Sequence, residues 1–130
     1  MAKIMVIDDE KDLLFLLKIL IEKEGHEVIE AGNGLEAYNM LTNVENPVRP
    51  DLILLDIMMP QMDGYTFQSR LQEIDELKNI PIIIVTAKGQ TKELFEMSNN
   101  VYSFLEKPFD PKNLVKTVKG ALEYGRKNNH

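Results

Sequence analysis

The chain has no cysteine, which excludes disulfides, thiolate metal sites and cysteine nucleophiles and fits a reducing compartment. Basic charge is in deficit. Lys and Arg number 15 against 21 Asp and Glu, a formal charge of -6, which argues against direct nucleic-acid binding because such binding neutralises phosphates with Lys and Arg. Long apolar runs are also missing: the densest, Leu13 to Ile21, is broken by Lys18, and a membrane helix needs about eighteen apolar residues or more. No membrane insertion is therefore expected. The N-terminus reaches Asp8-Asp9-Glu10 too early for a secretory signal, so the expected location is cytoplasmic. There is no low-complexity tract, no internal repeat beyond a βα unit and no dividing linker, and 130 residues suit one domain with one good core. At 44 % hydrophobic and 28 % charged residues the chain reads as soluble and globular, so motifs must decide function.

Short β-branched runs alternate with helix-period segments, the signature of a parallel sheet with crossover helices. Strands are predicted at Lys3 to Ile7, Glu27 to Ala31 (an edge strand), Asp51 to Leu55 (central), Ile82 to Val85 and Tyr102 to Leu105. Helices are predicted over Asp12 to Glu24, Leu35 to Thr42, Tyr65 to Glu73, Thr91 to Ser98 and Pro111 to Tyr124, with Gly25 as a stop signal and Pro111 near N1. Ile57 to Asp63 is expected to be irregular, and Asn43 to Pro50 to be a surface loop without an assignable role. The domain is read as residues 1–124, followed by a polar tail over 125–130.

In an open parallel α/β sheet, ligands bind outside the carboxyl ends of the strands. Asp8 and Asp9 follow the first strand, Asp56 the third and Thr86 the fourth, and Lys107 follows the fifth, so all five are expected to face one crevice. Clustered carboxylates repel unless a cation joins them, and an all-oxygen ligand set favours a hard ion such as Mg2+. A metal beside a lysine makes a phosphoryl site in which one carboxylate attacks phosphorus in line, giving an aspartyl phosphate. Each residue taken alone has a plainer reading. The acidic run could begin a helix, Thr86 could simply end a strand, and Lys107 could be a solvated surface charge. Asp56 after four apolar residues is the hardest to explain that way, because a buried carboxylate needs compensation. The joint placement favours the site.

These residues resemble the receiver domain of bacterial two-component response regulators along essentially the whole chain. The resemblance rests on Val6-Ile7-Asp8-Asp9-Glu10, on Ala31 to Ala37, and on Pro50 to Pro60 with Met62-Asp63-Gly64. Ile82 to Ala87 and Phe104-Leu105-Glu106-Lys107-Pro108-Phe109 complete it. It implies a doubly wound, flavodoxin-like α/β fold with a five-stranded parallel sheet in the order 2-1-3-4-5 and helices on both faces. It further implies that Asp56 is the phosphoacceptor and that Asp8, Asp9, Asp56 and the Met58 backbone carbonyl hold Mg2+ (or Mn2+). By the same resemblance Thr86 is the switch hydroxyl, Lys107 pairs with the phosphate, the Lys107–Pro108 peptide is cis, and Met58 and Lys88 flank the phosphoryl group and tune its lifetime.

The implied function is a phosphoacceptor switch in two-component or phosphorelay signal transduction. Such a domain takes a phosphoryl group from a phosphohistidine of a sensor histidine kinase or histidine phosphotransfer protein. It is not a metabolic enzyme and catalyses only its own phosphorylation and dephosphorylation. Phosphorylation draws in Thr86 and lets the aromatic at Phe104 turn inward, reshaping the face of the Thr91–Ser98 helix, the fifth strand and the last helix. Phe104 could equally be a core filler. The face carries Lys112, Lys116 and Lys119 beside Phe109 and would meet a downstream protein effector, with the chain a monomer or a phosphorylation-dependent dimer. Neither His26 nor His130 resembles a phosphodonor. The alternatives are a Mg2+-dependent phosphatase with an aspartyl-phosphate intermediate, a receiver kept only for binding, and a receiver cut from a larger DNA-binding or enzymatic regulator.

Overall fold

The structure, a computed structural model, describes residues 2–56, 64–87 and 101–128. Its elements run β1 (Lys3–Ile7), α1 (Lys11–Lys23), β2 (Glu27–Ala31), α2 (Gly34–Leu41), β3 (Leu52–Asp56), α3 (Gly64–Leu71), β4 (Ile82–Ala87), β5 (Val101–Lys107) and α4 (Pro111–Asn128). All strand pairs are parallel and the order is β2-β1-β3-β4-β5, as expected. The helix expected over Thr91 to Ser98 and the irregular Ile57 to Asp63 lie outside the described residues. Among the described residues no helix is long and apolar enough to cross a membrane.

Strand composition follows position in the sheet. β3, with neighbours on both sides, is buried at every residue, whereas the edge strand β2 is buried only at Ala31. A strand covered on both faces reads as a continuous apolar run, and an edge strand does not. Side chains alternate between faces. Met5, Ile7, Ile53, Leu55, Ile82 and Ile84 join Ala37 and Leu41 of α2 and Phe67 and Leu71 of α3 in one core layer. Ile4, Val6, Leu52, Leu54 and Ile83 join Leu14, Leu17 and Ile21 of α1 and Leu114, Val118 and Ala121 of α4 in the other.

Local chemistry sets the ends. α1 stops at Gly25, whose φ of 91° is available to glycine without strain. Asn33 caps α2 by accepting from the Glu36 N–H at 2.8 Å, and Glu36 in return accepts from the Gly32 N–H at 3.1 Å. The Asn43–Pro50 loop closes the other end of α2. Arg49 donates to the Leu41 carbonyl and the Val48 N–H to that of Met40, so this loop satisfies carbonyls the helix leaves open.

Three expectations are corrected. β4 and β5 extend to Ala87 and Lys107, because the pairing continues through Thr86↔Glu106 and Ala87↔Lys107 after the apolar pattern has ended. β3 likewise includes Asp56. The polar tail expected from Gly125 is instead helix as far as Asn128, with Gly125 buried. It sits four residues after Ala121 on the inner stripe of α4, and Arg126 and Lys127 suit the negative end of the helix.

Candidate functional site

The register brings the carboxyl ends of four strands level. Ile7 lies opposite Leu55 and Asp56 opposite Val85, so Asp8 and Asp56 emerge side by side on adjoining strands. Asp8 is fixed by its backbone, its N–H donating to the Ala31 carbonyl at 3.1 Å while its Oδ1 accepts from the Glu10 N–H at 2.9 Å. Asp8, Asp56 and Thr86 are buried and Asp9 is exposed. One oxygen from each of Asp8, Asp9 and Asp56 lies within 4.8 Å of the others.

Lys107 reaches this cluster from the end of β5. Its Nζ is 3.4 Å from Asp56 Oδ2 and 3.7 Å from both Asp8 Oδ2 and Glu10 Oε1. Burial alone would lower the lysine pKa, but Asp56, Asp8 and Glu10 together outweigh it and the pKa is raised. Asp8 is pushed up to about 6, first by burial and then by the charges of Asp56 and Glu10. Its hydrogen bond from the Glu10 N–H and the Lys107 charge offset only part of this. One ammonium does not balance this many carboxylates. One oxygen from each of the three aspartates makes an all-oxygen donor set of the kind Mg2+ takes, and the charge of such an ion would relieve the repulsion at Asp8. The residues fit the ion.

Thr86 Oγ1 is buried without a hydrogen-bond partner among the described residues. A buried hydroxyl left unpaired costs stability, which calls for an explanation at a functional site. Phe104 is half-buried against the core layer under α2 and α3. The Lys107–Pro108 peptide is cis. Lys112, Lys116 and Lys119 are exposed along α4, while Phe109 packs against the core layer under α1 and α4. Met58 and Lys88 lie outside the described residues.

The family model for the response regulator receiver domain matches residues 4–119. The chain belongs to this family. This receiver domain is 33 % identical over 123 residues to Protein PilH of Pseudomonas aeruginosa, covering 94 % of the chain and 98 % of PilH. It is 39 % identical over 121 residues to the transcriptional regulatory protein SrrA of Staphylococcus aureus, covering 92 % of the chain and 47 % of SrrA. A response regulator receiver domain protein of Clostridium thermocellum superposes with a TM-score of 0.81 at 27 % identity, over 97 % of this chain and 98 % of that one. The receiver domain thus spans about half the length of several curated relatives and nearly all of PilH.

Receiver domains are signalling switches that hold Mg2+ in an acidic pocket and work with histidine kinases or phosphotransfer proteins and with effectors. In this one the crevice gathers Asp8, Asp9, Asp56 and Lys107, with Thr86 buried at the end of the intervening strand β4, and adds Glu10, which the sequence reading did not single out. The signal was present but ambiguous: an acid directly after an acidic pair also suits a helix start. A groove of about 650 Å³ adjoins the pocket, lined by Asp8 and Asp9 and by Leu14, Phe15, Lys18 and Ile19 of α1. Phe15 is 67 % exposed there.

Proposed function

We propose that this receiver domain is a phosphoacceptor switch with Asp56 as the acceptor. An Asp56 carboxylate oxygen attacks the phosphorus of a phosphohistidine on a sensor kinase or phosphotransfer protein. The new P–O bond forms as the P–N bond breaks, the imidazole leaves, and an acyl phosphate remains on Asp56. Asp8, Asp9, Asp56 and the Met58 carbonyl would hold Mg2+ (or Mn2+), which when bound neutralises charge on the phosphoryl oxygens. Lys107 neutralises a further oxygen, and the Thr86 hydroxyl donates to another. The reading is supported by the contact of Lys107 Nζ with Asp56 beside the Asp8–Asp9–Asp56 cluster, and by a buried Thr86 hydroxyl, unpaired among the described residues, at the end of β4, the strand between those of Asp56 and Lys107.

Drawing Thr86 toward the phosphoryl group frees space for Phe104 and alters the surface of β5 and α4, where an effector binds a monomer or a phosphorylation-dependent dimer. The exposed apolar side of α1, in a groove shared with Asp8 and Asp9, supports a protein donor docking at this end. The donor's phosphohistidine is a cytoplasmic group, and the domain works there. Met58 and Lys88 shield the acyl phosphate from water, so Met58→Ala and Lys88→Ala are expected to shorten its lifetime; unchanged decay would remove that role.

The deciding experiment is intact mass after incubation with acetyl phosphate, with and without Mg2+, on the wild type and on Asp56→Asn. A single Mg2+-dependent phosphoryl adduct absent from the variant is expected. An adduct retained by Asp56→Asn, or none on the wild type, would overturn the assignment of a small-donor phosphoacceptor at Asp56.

A further inference from the structure

Glu10 occupies the N-cap of α1 with an extended backbone (φ -88°, ψ 110°), yet its side chain makes no capping hydrogen bond. That position favours Ser, Thr, Asp or Asn, whose short side chains reach the open N–H groups. Glu10 instead extends the other way, and its Oε1 lies 3.7 Å from Lys107 Nζ. The same ammonium lies 3.4 Å from Asp56 and 3.7 Å from Asp8, so one charge is shared by three carboxylates of which only Glu10 is largely exposed. A phosphoryl group on Asp56 turns a singly charged carboxylate into an acyl phosphate of about two negative charges, a net gain of about one beside Lys107. Glu10 then becomes both a competitor for the ammonium and a like charge facing the new group.

Resting on the phosphoacceptor reading above, we propose that Glu10 is a positioning residue that holds Lys107 in the resting site and opposes its transfer to a phosphoryl group on Asp56. Two effects of opposite sign follow for Glu10→Gln. Mg2+ binds more weakly, because the pocket has lost a negative charge. Phosphorylation at saturating Mg2+ is faster, because Lys107 is released. Each change is expected to be about two- to fivefold, the scale of a half-exposed ion pair. A capping or folding role moves both quantities in the same direction or neither.

The test measures Mg2+ affinity calorimetrically and the rate of labelling by acetyl phosphate, on the wild type, Glu10→Gln, Lys107→Met and the double variant. Glu10→Asp, which caps well and retains charge but has a shorter reach, serves as a folded control that labels faster with Mg2+ affinity preserved. The gain from Glu10→Gln is expected in the wild-type background and absent in the Lys107→Met background, as required if Glu10 acts through the lysine. A gain that persists without Lys107, an unchanged rate, or a fall in both quantities would overturn the role of Glu10 alone. Wild type that accepts no phosphoryl group would instead overturn the underlying phosphoacceptor reading.

Discussion

Lys107 Nζ lies 3.4 Å from Asp56 Oδ2 across 51 residues of sequence, joining the end of the edge strand β5 to the end of β3, with β4 between them. The contact is long for a charge-assisted hydrogen bond, which prefers about 2.7–2.9 Å, so the lysine is shared rather than committed to one carboxylate. Lys107→Met removes the cation that lies against both Asp56 and Asp8. The expected result is labelling by acetyl phosphate slowed at least about tenfold, with Mg2+ affinity increased because a positive charge has left the pocket. Labelling at the wild-type rate would remove Lys107 from the reaction.

The pocket also sets the pH dependence of stability. Asp8 rises from 3.8 to about 6, mainly through burial, so between about pH 4 and 6 the native state binds more protons than the unfolded chain. Stability from this group is therefore greatest below pH 4 and falls as pH rises through that window, by on the order of 2 kcal/mol. Urea unfolding of the metal-free protein from pH 4 to 7.5 checks this. Asp8→Asn is expected to flatten the decline and to be the more stable protein at pH 7, and parallel curves for the two proteins would count against the shift. Added Mg2+ is expected to stabilise the wild type at pH 7 by mass action and to do far less for the variant.

Thr86 separates stability from function. Its hydroxyl is buried and unpaired among the described residues, so Thr86→Val, which keeps nearly the same shape, is expected to raise stability by about 1 kcal/mol by removing the unsatisfied group. The same variant is expected to bind beryllofluoride, a phosphoryl mimic, at Asp56 while showing a reduced response at Phe104 and across β5 and α4, read by amide chemical shifts. A destabilised variant would mean that the hydroxyl has a partner in the resting protein. A full response would mean that Thr86 does not transmit the signal.

Much of this was readable from residue order because parallel sheets impose a simple rule. Apolar runs mark the strands, and whatever follows them meets at one end. Asp8, Asp9, Asp56 and Lys107, which the structure brings together, could be collected in that way without coordinates. The rule fails where contacts are not periodic. Glu10 faces Lys107 only because its side chain turns away from the helix it begins. α4 continues past Gly125, a buried residue that local propensity reads as a stop. The loop before β3 acquires its role from Arg49 and Val48 reaching back to α2, a contact that composition does not signal.

The bulge in β5 is equally invisible to pattern, and it makes a sharp prediction. Ile82 pairs with Val101 but Ile83 with Ser103, so Tyr102 is the extra residue on the edge strand. A bulge re-aims its side chain. The Tyr102 ring lies 5.5 Å from that of Tyr124 on α4, and its hydroxyl crosses the helix at Gly120, where a Cβ would stand 2.5 Å from Tyr102 Oη. Gly120→Ala therefore brings two opposing effects. Alanine in the interior of α4 contributes about 1 kcal/mol of helix propensity, while displacing Tyr102 forfeits an aromatic contact of about 0.5–1.5 kcal/mol. The single variant is expected to be within about 0.5 kcal/mol of wild type by these two terms, with the Tyr102 ring resonances shifted. In a Tyr102→Ala background the clash is gone, and the same substitution is expected to stabilise by about 1 kcal/mol. Denaturant unfolding of the four proteins measures that difference. Equal effects of Gly120→Ala in both backgrounds would show that Tyr102 does not occupy the notch at Gly120.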